Sequence, residues 1–334
     1  MADDRPLRTS LRIGAALTPL AMLAAACGGG GGDPADFPDD NIEIVVPFSA
    51  GGPTDTVTRM IAEPMSEELG VEIIIQNVEG AGGTVAAGQV AEADPDGYTV
   101  LMHHIGMSTA PTLYPDLPFD PLADFQTVGL VTEVPMTIIA RKDFQPATLE
   151  ELISYVEANE DKVTYANAGI GSASHLCGVL LQQAMGVKLQ EVPYDGTAPA
   201  MADILGGQVD FMCDQTTNTT AQINEGKVKA YAVTTTERVE SLPDLPTTAE
   251  GGLADVEVSV WHGLYVPADT PEEVVTKLTD ALAAALEDQS VIDEMAKLGT
   301  APVEPERVTP EEHTTVLEEQ VASWGETLEG IEAE

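Results

Sequence analysis

Two short stretches hold residue types from which a binding site can be built. "PFSAGGPTD" (47–55) and "NAGIGSASH" (167–175) each set glycines and hydroxyl side chains between an apolar run and a helix-like segment. The chemistry such a junction offers is anion binding without a counter-charge. The first N–H groups of a helix lack an intrahelical acceptor and stand at the positive end of its dipole. Gly51 and Gly52 let a ligand approach the main chain with no Cβ in the way. Asp55 is expected as the N-cap of the following helix, with Pro53 in the turn before it. A plain helix cap accounts for this stretch equally well on its own.

Two further junctions, "EGAGGTVA" (79–86) and "YDGTAPA" (194–200), repeat the pattern. No lysine or arginine lies in any of the four. An anion held there is held by main-chain N–H groups, hydroxyls and helix dipoles. Each charge-assisted bond is worth ~1.5–3 kcal/mol, so four of them less the ordering cost reach micromolar affinity.

Rival chemistries fail on detail. A dinucleotide fingerprint needs a third glycine where Val85 stands, and no phosphate-loop or nucleophile-elbow motif occurs. His103, His104, His175, His262 and His313 show no metal-ligand spacing. Ser174, His175 and Asp195 do not make a triad, because neighbours on one helix turn point apart. No metal, no cofactor and no enzymatic activity are expected.

These loops need elements to position them, and strand and helix patterns alternate from residue 42 onward. Strands are expected at 42–46, 71–76, 98–102 and 135–140, then at 163–167, 189–194, 208–213 and 228–233. Helices are expected at 55–69, 84–92, 148–159, 173–185, 197–205 and 217–225, with Pro64 kinking or splitting the first. The pattern is α/β, with mostly parallel sheets repeated in two halves. Residues 256–267 read as a return strand and hinge. Two amphipathic helices, 271–286 and 310–328, follow and are expected to pack back on the first half. In open α/β sheets ligands bind at the carboxyl ends of strands, so facing loops from two halves predict a cleft.

The chain has 334 residues, enough for roughly two domains. Arg5, Arg8 and Arg12 precede an apolar run, 13–26, that ends at Cys27, the layout of a signal peptide. "LAAAC" resembles a bacterial lipobox, with Ala24 where leucine is usual, and "GGGGGD" after it reads as a tether. Cys27 is then the lipidated residue; the alternative is an ordinary secretory signal. The remainder carries 11 Lys+Arg and 54 Asp+Glu, a formal charge of −43. Such a surface does not bind nucleic acid unaided. Cys177 and Cys213 are left as an even pair outside the cytoplasm, either bridged or as two buried thiols.

The ordered blocks "VPFSAGGPTD", "NVEGAGGTVAAGQVAEADPDGYTVL", "FDPLADFQTVGLV", "GIGSASHL", "VPYDGTAPAMADILGGQVDFM", "LPTTAEGG" and "WHGLYVPADTP" resemble the substrate-binding proteins of tripartite tricarboxylate transporters, the Bug family, over about residues 41–331. The resemblance implies a two-domain periplasmic-binding-protein fold with an interdomain ligand cleft. Domain 1 is then 41–137 plus 260–334 and domain 2 is 138–259, after a signal peptide (1–26) and a tether (27–40). It implies an extracytoplasmic, monomeric receptor in the family's sense: capture of a small di-/tricarboxylate or aromatic acid and delivery to membrane permease subunits. A carboxylate sensor signalling to a membrane kinase is the alternative. Carried onto this chain, one jaw is Phe48, Ser49, Ala50, Gly51, Gly52, Thr54 and Asp55. The other is Gly169, Gly171, Ser172, Ala173, Ser174 and His175. Gly82, Gly83 and Asp195 come from the remaining junctions. "HHIG" (103–106) and "CDQTTNTT" (213–220) depart from the family's usual residues, so His104 and Gln215 are expected to set the distal part of the ligand. For His104 a structural hydrogen bond is the competing account.

Overall fold

Nine strands and ten α-helices alternate along residues 34–329, the part of the chain that the computed structural model describes. β1 (Ile42–Val46) lies between β2 (Ile73–Asn77) and β3 (Thr99–His104), parallel to both. Ile44, Val45 and Val46 are fully buried, as a parallel strand covered on both faces requires. The cover comes from α1 (Pro53–Leu69), α2 (Thr84–Ala91) and α3 (Gly106–Leu113). A second parallel set is built from β5 (Thr164–Asn167), flanked by β6 (Gln190–Pro193) and β7 (Phe211–Gln215). With it go α4 (Leu149–Asn159), α5 (Ala173–Met185), α6 (Thr197–Leu205) and α7 (Thr216–Asn224).

One strand joins the two sets. β4 (Phe125–Arg141) pairs through residue 135 with β9 (Ser259–Pro267), then from Met136 onward with β7 and β8 (Val228–Val233). β9 closes on β3, so the strand order is β2-β1-β3-β9-β4-β7-β5-β6. Every pairing that involves β4 or β9 is antiparallel. The α/β architecture is as expected, but the sheets are mixed rather than mostly parallel. A strand that leaves one sheet and a strand that returns beside it run in opposite directions. α8 (Glu272–Glu287) lies against α1, α9 (Gln289–Lys297) follows it, and α10 (Pro310–Thr327) packs on α3 and β4. α1 runs through Pro64 without a break.

The signal-peptide segment, Cys27 and the glycine run lie outside the described residues. The tether expected to reach residue 40 is folded from Pro34. A 3-10 turn, Pro34–Asp36, leads to Phe37, which is buried against Tyr98 at 5.1 Å. Lys277 Nζ donates to the Phe37 carbonyl at 2.6 Å and to the Ala35 carbonyl at 3.0 Å. In the second half a disulfide joins Cys177 on α5 to Cys213 on β7, with Cα atoms 6.2 Å apart.

Candidate functional site

Four helices begin at one place. The residues around a small, buried cell include Pro53 and Thr54 of α1, Ala173 and Ser174 of α5, Thr197 of α6, and Gln215, which caps α7. Phe48, His104, Ala168, Ser172 and Asp214 complete its wall. The cell offers about 20 Å³ to the centre of a water molecule. Among the described residues, no lysine or arginine lines it. Its positive field therefore comes from helix ends, each equivalent to roughly half an elementary charge.

In the first loop the helix is capped by Gly52, not Asp55. Asp55 sits inside the first turn and is buried. It accepts from the Gly51 N–H at 2.8 Å, from Arg59 at 2.8 and 2.9 Å, and from Asn77 Nδ2 at 3.1 Å. Burial pushes its carboxyl up, but these hydrogen bonds outweigh that and hold it below its ordinary value. Asp55 thus organises the loop and consumes the Gly51 donor. Ala50 and Gly51 are exposed, away from the cell. The orphan N–H groups that remain at this helix start belong to Thr54 and Asp55.

The second loop is also tied to itself. The Gly169 N–H donates to Asn167 Oδ1 at 2.9 Å and the Gly171 N–H to His175 Nδ1 at 3.2 Å. Ser172 caps α5 by accepting from the His175 N–H at 3.3 Å, and Ser174 Oγ accepts from the Ala168 N–H at 2.8 Å. Neither glycine has an N–H to spare for a ligand. The available donors are the N–H groups of Ala173 and Ser174 in the first turn. His175 Nε2 lies 3.8 Å from Glu191, so this ring locks the loop.

The two jaws touch. The Ser49 N–H donates to the Asp195 carbonyl at 3.2 Å, Thr109 Oγ1 to the Gly171 carbonyl at 3.2 Å, and Tyr114 hydroxyl reaches the Ile170 carbonyl at 2.8 Å. Glycine is required where the backbones meet. A Cβ on Gly82 would lie 1.8 Å from the Ile170 carbonyl oxygen, and one on Gly196 would lie 2.0 Å from Ser49 Oγ. Gly82, Gly83, Gly169 and Asp195 line a separate, outer vestibule of about 510 Å³, which shares Phe48 and Ala168 with the inner cell.

His104 stacks on Phe48 with ring centroids 4.7 Å apart. Its Nδ1 accepts from the Gly106 N–H at 2.9 Å, so Nε2 carries the proton. Burial, and then the neighbouring His103 and His262, hold its pKa well below the ordinary value. His104 is therefore a neutral donor in the cell wall. His262 Nδ1 donates to the Val260 carbonyl at 3.2 Å, which leaves Nε2 to accept from the Thr54 hydroxyl at 3.4 Å. Ser49 Oγ, Thr197 Oγ1, Gln215 Oε1 and Thr217 Oγ1 are buried without a hydrogen-bond partner among the described residues.

Asp214, Thr197, His262 and Tyr114 were not among the residues expected from sequence. Thr197 and Asp214 do lie in junctions already singled out, 194–200 and 213–220. His262 and Tyr114 carry no local signal, because only the pairing of β9 with β3 and the closing of α3 on the second loop bring them in.

The family model for the tripartite tricarboxylate transporter family receptor matches residues 57–332. A relative from Agrobacterium vitis, the UPF0065 protein in the TAR-I ttuE-ttuC' intergenic region, is 52% identical over 274 residues, 82% of this chain and 79% of its own. Among solved structures, periplasmic binding protein BugD has a TM-score of 0.86 at 51% identity, covering 88% of this chain and 98% of that one. MatC from Rhodopseudomonas palustris, solved with bound malate, has a TM-score of 0.85 at 42% identity, covering 87% and 100%. The periplasmic-binding-protein fold and the resemblance read from the sequence blocks both hold, and the chain belongs to the tripartite tricarboxylate transporter receptor family.

Proposed function

We propose that this protein is an extracytoplasmic receptor that captures a small organic carboxylate, with one carboxylate group in the inner cell and the remainder toward the outer vestibule, and delivers it to the membrane subunits of a tripartite tricarboxylate-type transporter. The observation that carries the reading is the convergence of four helix N-termini on one buried cell that has no basic side chain among the described residues. Such a cell favours a carboxylate through N–H groups and dipoles. The hydroxyl of Thr197 and His104 Nε2–H, both in the cell wall, supply further donors. The malate bound in MatC supports the same ligand class. Within this reading Ser172, Ala173, Ser174, Thr54, His104 and Gln215 touch the ligand. Asp55, Gly51, Gly169, Gly171 and His175 shape the loops, and Phe48 walls the cell. The domain division falls within two residues of the change of partners along β4, with residues 41–137 and 260–334 on one side and 138–259 on the other. Cys27, if lipidated, holds the receptor at the outer face of the membrane.

Titration calorimetry with malate, adipate, citrate, benzoate and their amides tests the ligand class. At least one acid should bind at micromolar affinity or tighter while its amide does not. Arg141, committed to Asp210 at 2.9 Å and Asp143 at 2.6 Å, serves as a control, and Arg141→Ala should bind as the parent does. Equal binding of acid and amide would remove the carboxylate from the reading. Delivery is tested by uptake into vesicles holding the permease subunits, which should depend on added receptor.

A further inference from the structure

The cell that receives an anion already contains a carboxylate. Asp214, the penultimate residue of β7, lies in the cell wall and is 1% exposed. Its oxygens accept from the Gln215 N–H at 2.8 Å and from Asn218 Nδ2 at 2.6 Å, both neutral donors. Among the described residues no cation pairs with it. Thr197 Oγ1 lies beside it and favours the anion, but makes no hydrogen bond of acceptable geometry.

The elements packed around Asp214 offer no compensating charge. β5 contributes Tyr165, whose hydroxyl donates to the Ser174 carbonyl and whose pKa burial drives well above 10. α5 contributes His175, lowered by burial and turned to Glu191. Across the cell stand neutral His104 and, behind Thr54, neutral His262, lowered to about 3. α1 contributes Asp55 and Arg59, paired with each other. α6 brings Thr197 to the cell and has Asp203 bonded to Tyr194; α7 carries no titratable side chain. On β4, Thr137 lies opposite Asp214 in the ladder, while Arg141 is bound to Asp143 and Asp210.

Two carboxylates cannot both stay ionised in one buried cell at acceptable cost, because like charges in a desolvated site push one pKa up. The helix ends that attract the ligand also stabilise the resident anion, so the two compete for one positive field. We propose that Asp214 is a specificity-determining residue: when a carboxylate enters the cell, Asp214 takes up one proton from solvent and meets the ligand as the neutral acid, donating O–H to it. This rests on the carboxylate reading above. Burial already pushes the free Asp214 up to about 7, so the proton costs little near neutrality.

Calorimetry with malate and adipate in two buffers of different ionisation enthalpy counts the protons. Both probes are almost wholly dianionic above about pH 7, so uptake at pH 8–9 does not come from the ligand. Close to one proton per ligand should be taken up at pH 8–9 and few at pH 6. Kd should be about 100-fold weaker at pH 9 than at pH 6, tenfold for each unit above 7. In Asp214→Asn the uptake should vanish and Kd should stay flat across the range. If that variant does not fold, the proton count on the parent protein still decides. Binding with no proton uptake, or uptake that persists in Asp214→Asn, overturns the proposal and leaves the carboxylate reading intact. If no acid binds at any pH, the carboxylate reading itself fails and takes this inference with it.

Discussion

His104 concentrates the residue-scale chemistry of the site in one ring. With Nδ1 held by the Gly106 N–H and the ring kept neutral by burial, it offers one donor and no charge. His104→Phe keeps the stack on Phe48 and removes that donor. Binding of the best acid should weaken about 10-fold, the worth of one hydrogen bond to an anion. His104→Gln should recover part of the loss, which calorimetry of both variants would show. Equal affinities for the parent and His104→Phe would make the ring a wall and nothing else. Asp55 makes the opposite point. An acid at a helix start reads as a cap or a ligand group, yet here it is spent on Gly51, Arg59 and Asn77.

At the scale of elements, the site depends on how closely the loops of the two halves approach. Gly196 leads α6 and faces Ser49 before α1. Gly196→Ala places a Cβ 2.0 Å from Ser49 Oγ and 2.9 Å from its backbone nitrogen, so the jaws must part. Affinity should fall at least ~100-fold, the loss of one or two charge-assisted bonds. Small-angle scattering with saturating ligand should then report a more open molecule than the parent. Unchanged affinity would mean that this approach is dispensable. Beneath the second jaw, the disulfide ties α5 to β7 across 36 positions. Thiol titration of denatured, unreduced protein should find neither Cys177 nor Cys213 free. The double Cys177→Ala, Cys213→Ala variant should lose about 2–4 kcal/mol, read as a lower denaturant midpoint.

The whole molecule carries two opposing responses to its solvent. With residues 1–26 removed the chain has a formal charge of −43, and self-repulsion opposes the folded state. Ions screen that repulsion over ~10 Å at 0.1 M, so the melting midpoint should rise from low to molar sodium chloride. A flat response would show that repulsion is not limiting. Acid acts through buried histidines. Burial lowers His103 to about 4 and His262 and His313 to about 3. A histidine depressed in the folded state contributes stability that is present above about 6.5 and is lost as pH falls toward its folded value. In molar chloride, where repulsion is already screened, the midpoint should therefore fall between pH 6.5 and 3. His313, whose ring nitrogens have no hydrogen-bond partner among the described residues and which packs beside Trp261 and Tyr265, supplies one share of that loss. His313→Phe should flatten the slope, and an unchanged acid profile would place the loss elsewhere.

What the sequence determined by itself was local. Apolar runs such as 42–46 and 228–233 give strands at those residues, and 173–185 and 197–205 give α5 and α6, because periodicity and glycine-bounded ends act within a few residues. The glycine junctions were legible for the same reason, and the ordered motif blocks were enough to indicate the family. The first half of β4 was not legible: Gln126, Thr127, Gly129, Thr132 and Glu133 dilute its apolar pattern, and their places are decided by pairing with β9. α3 was hidden by Gly106 and Pro111, and it forms because α10 and β3 pack on it. Which donors remain for a ligand could not be read either. Gly51, Gly169 and Gly171 look like donors along the chain, but Asp55, Asn167 and His175 occupy them, and that occupation depends on side-chain geometry. Asp214 stands furthest from sequence-level reasoning. An aspartate in a polar run becomes a carboxylate buried among four helix ends only when β7, α5, α6 and α7 are folded around it. Desolvation and the helix field are properties of that arrangement and of no single segment.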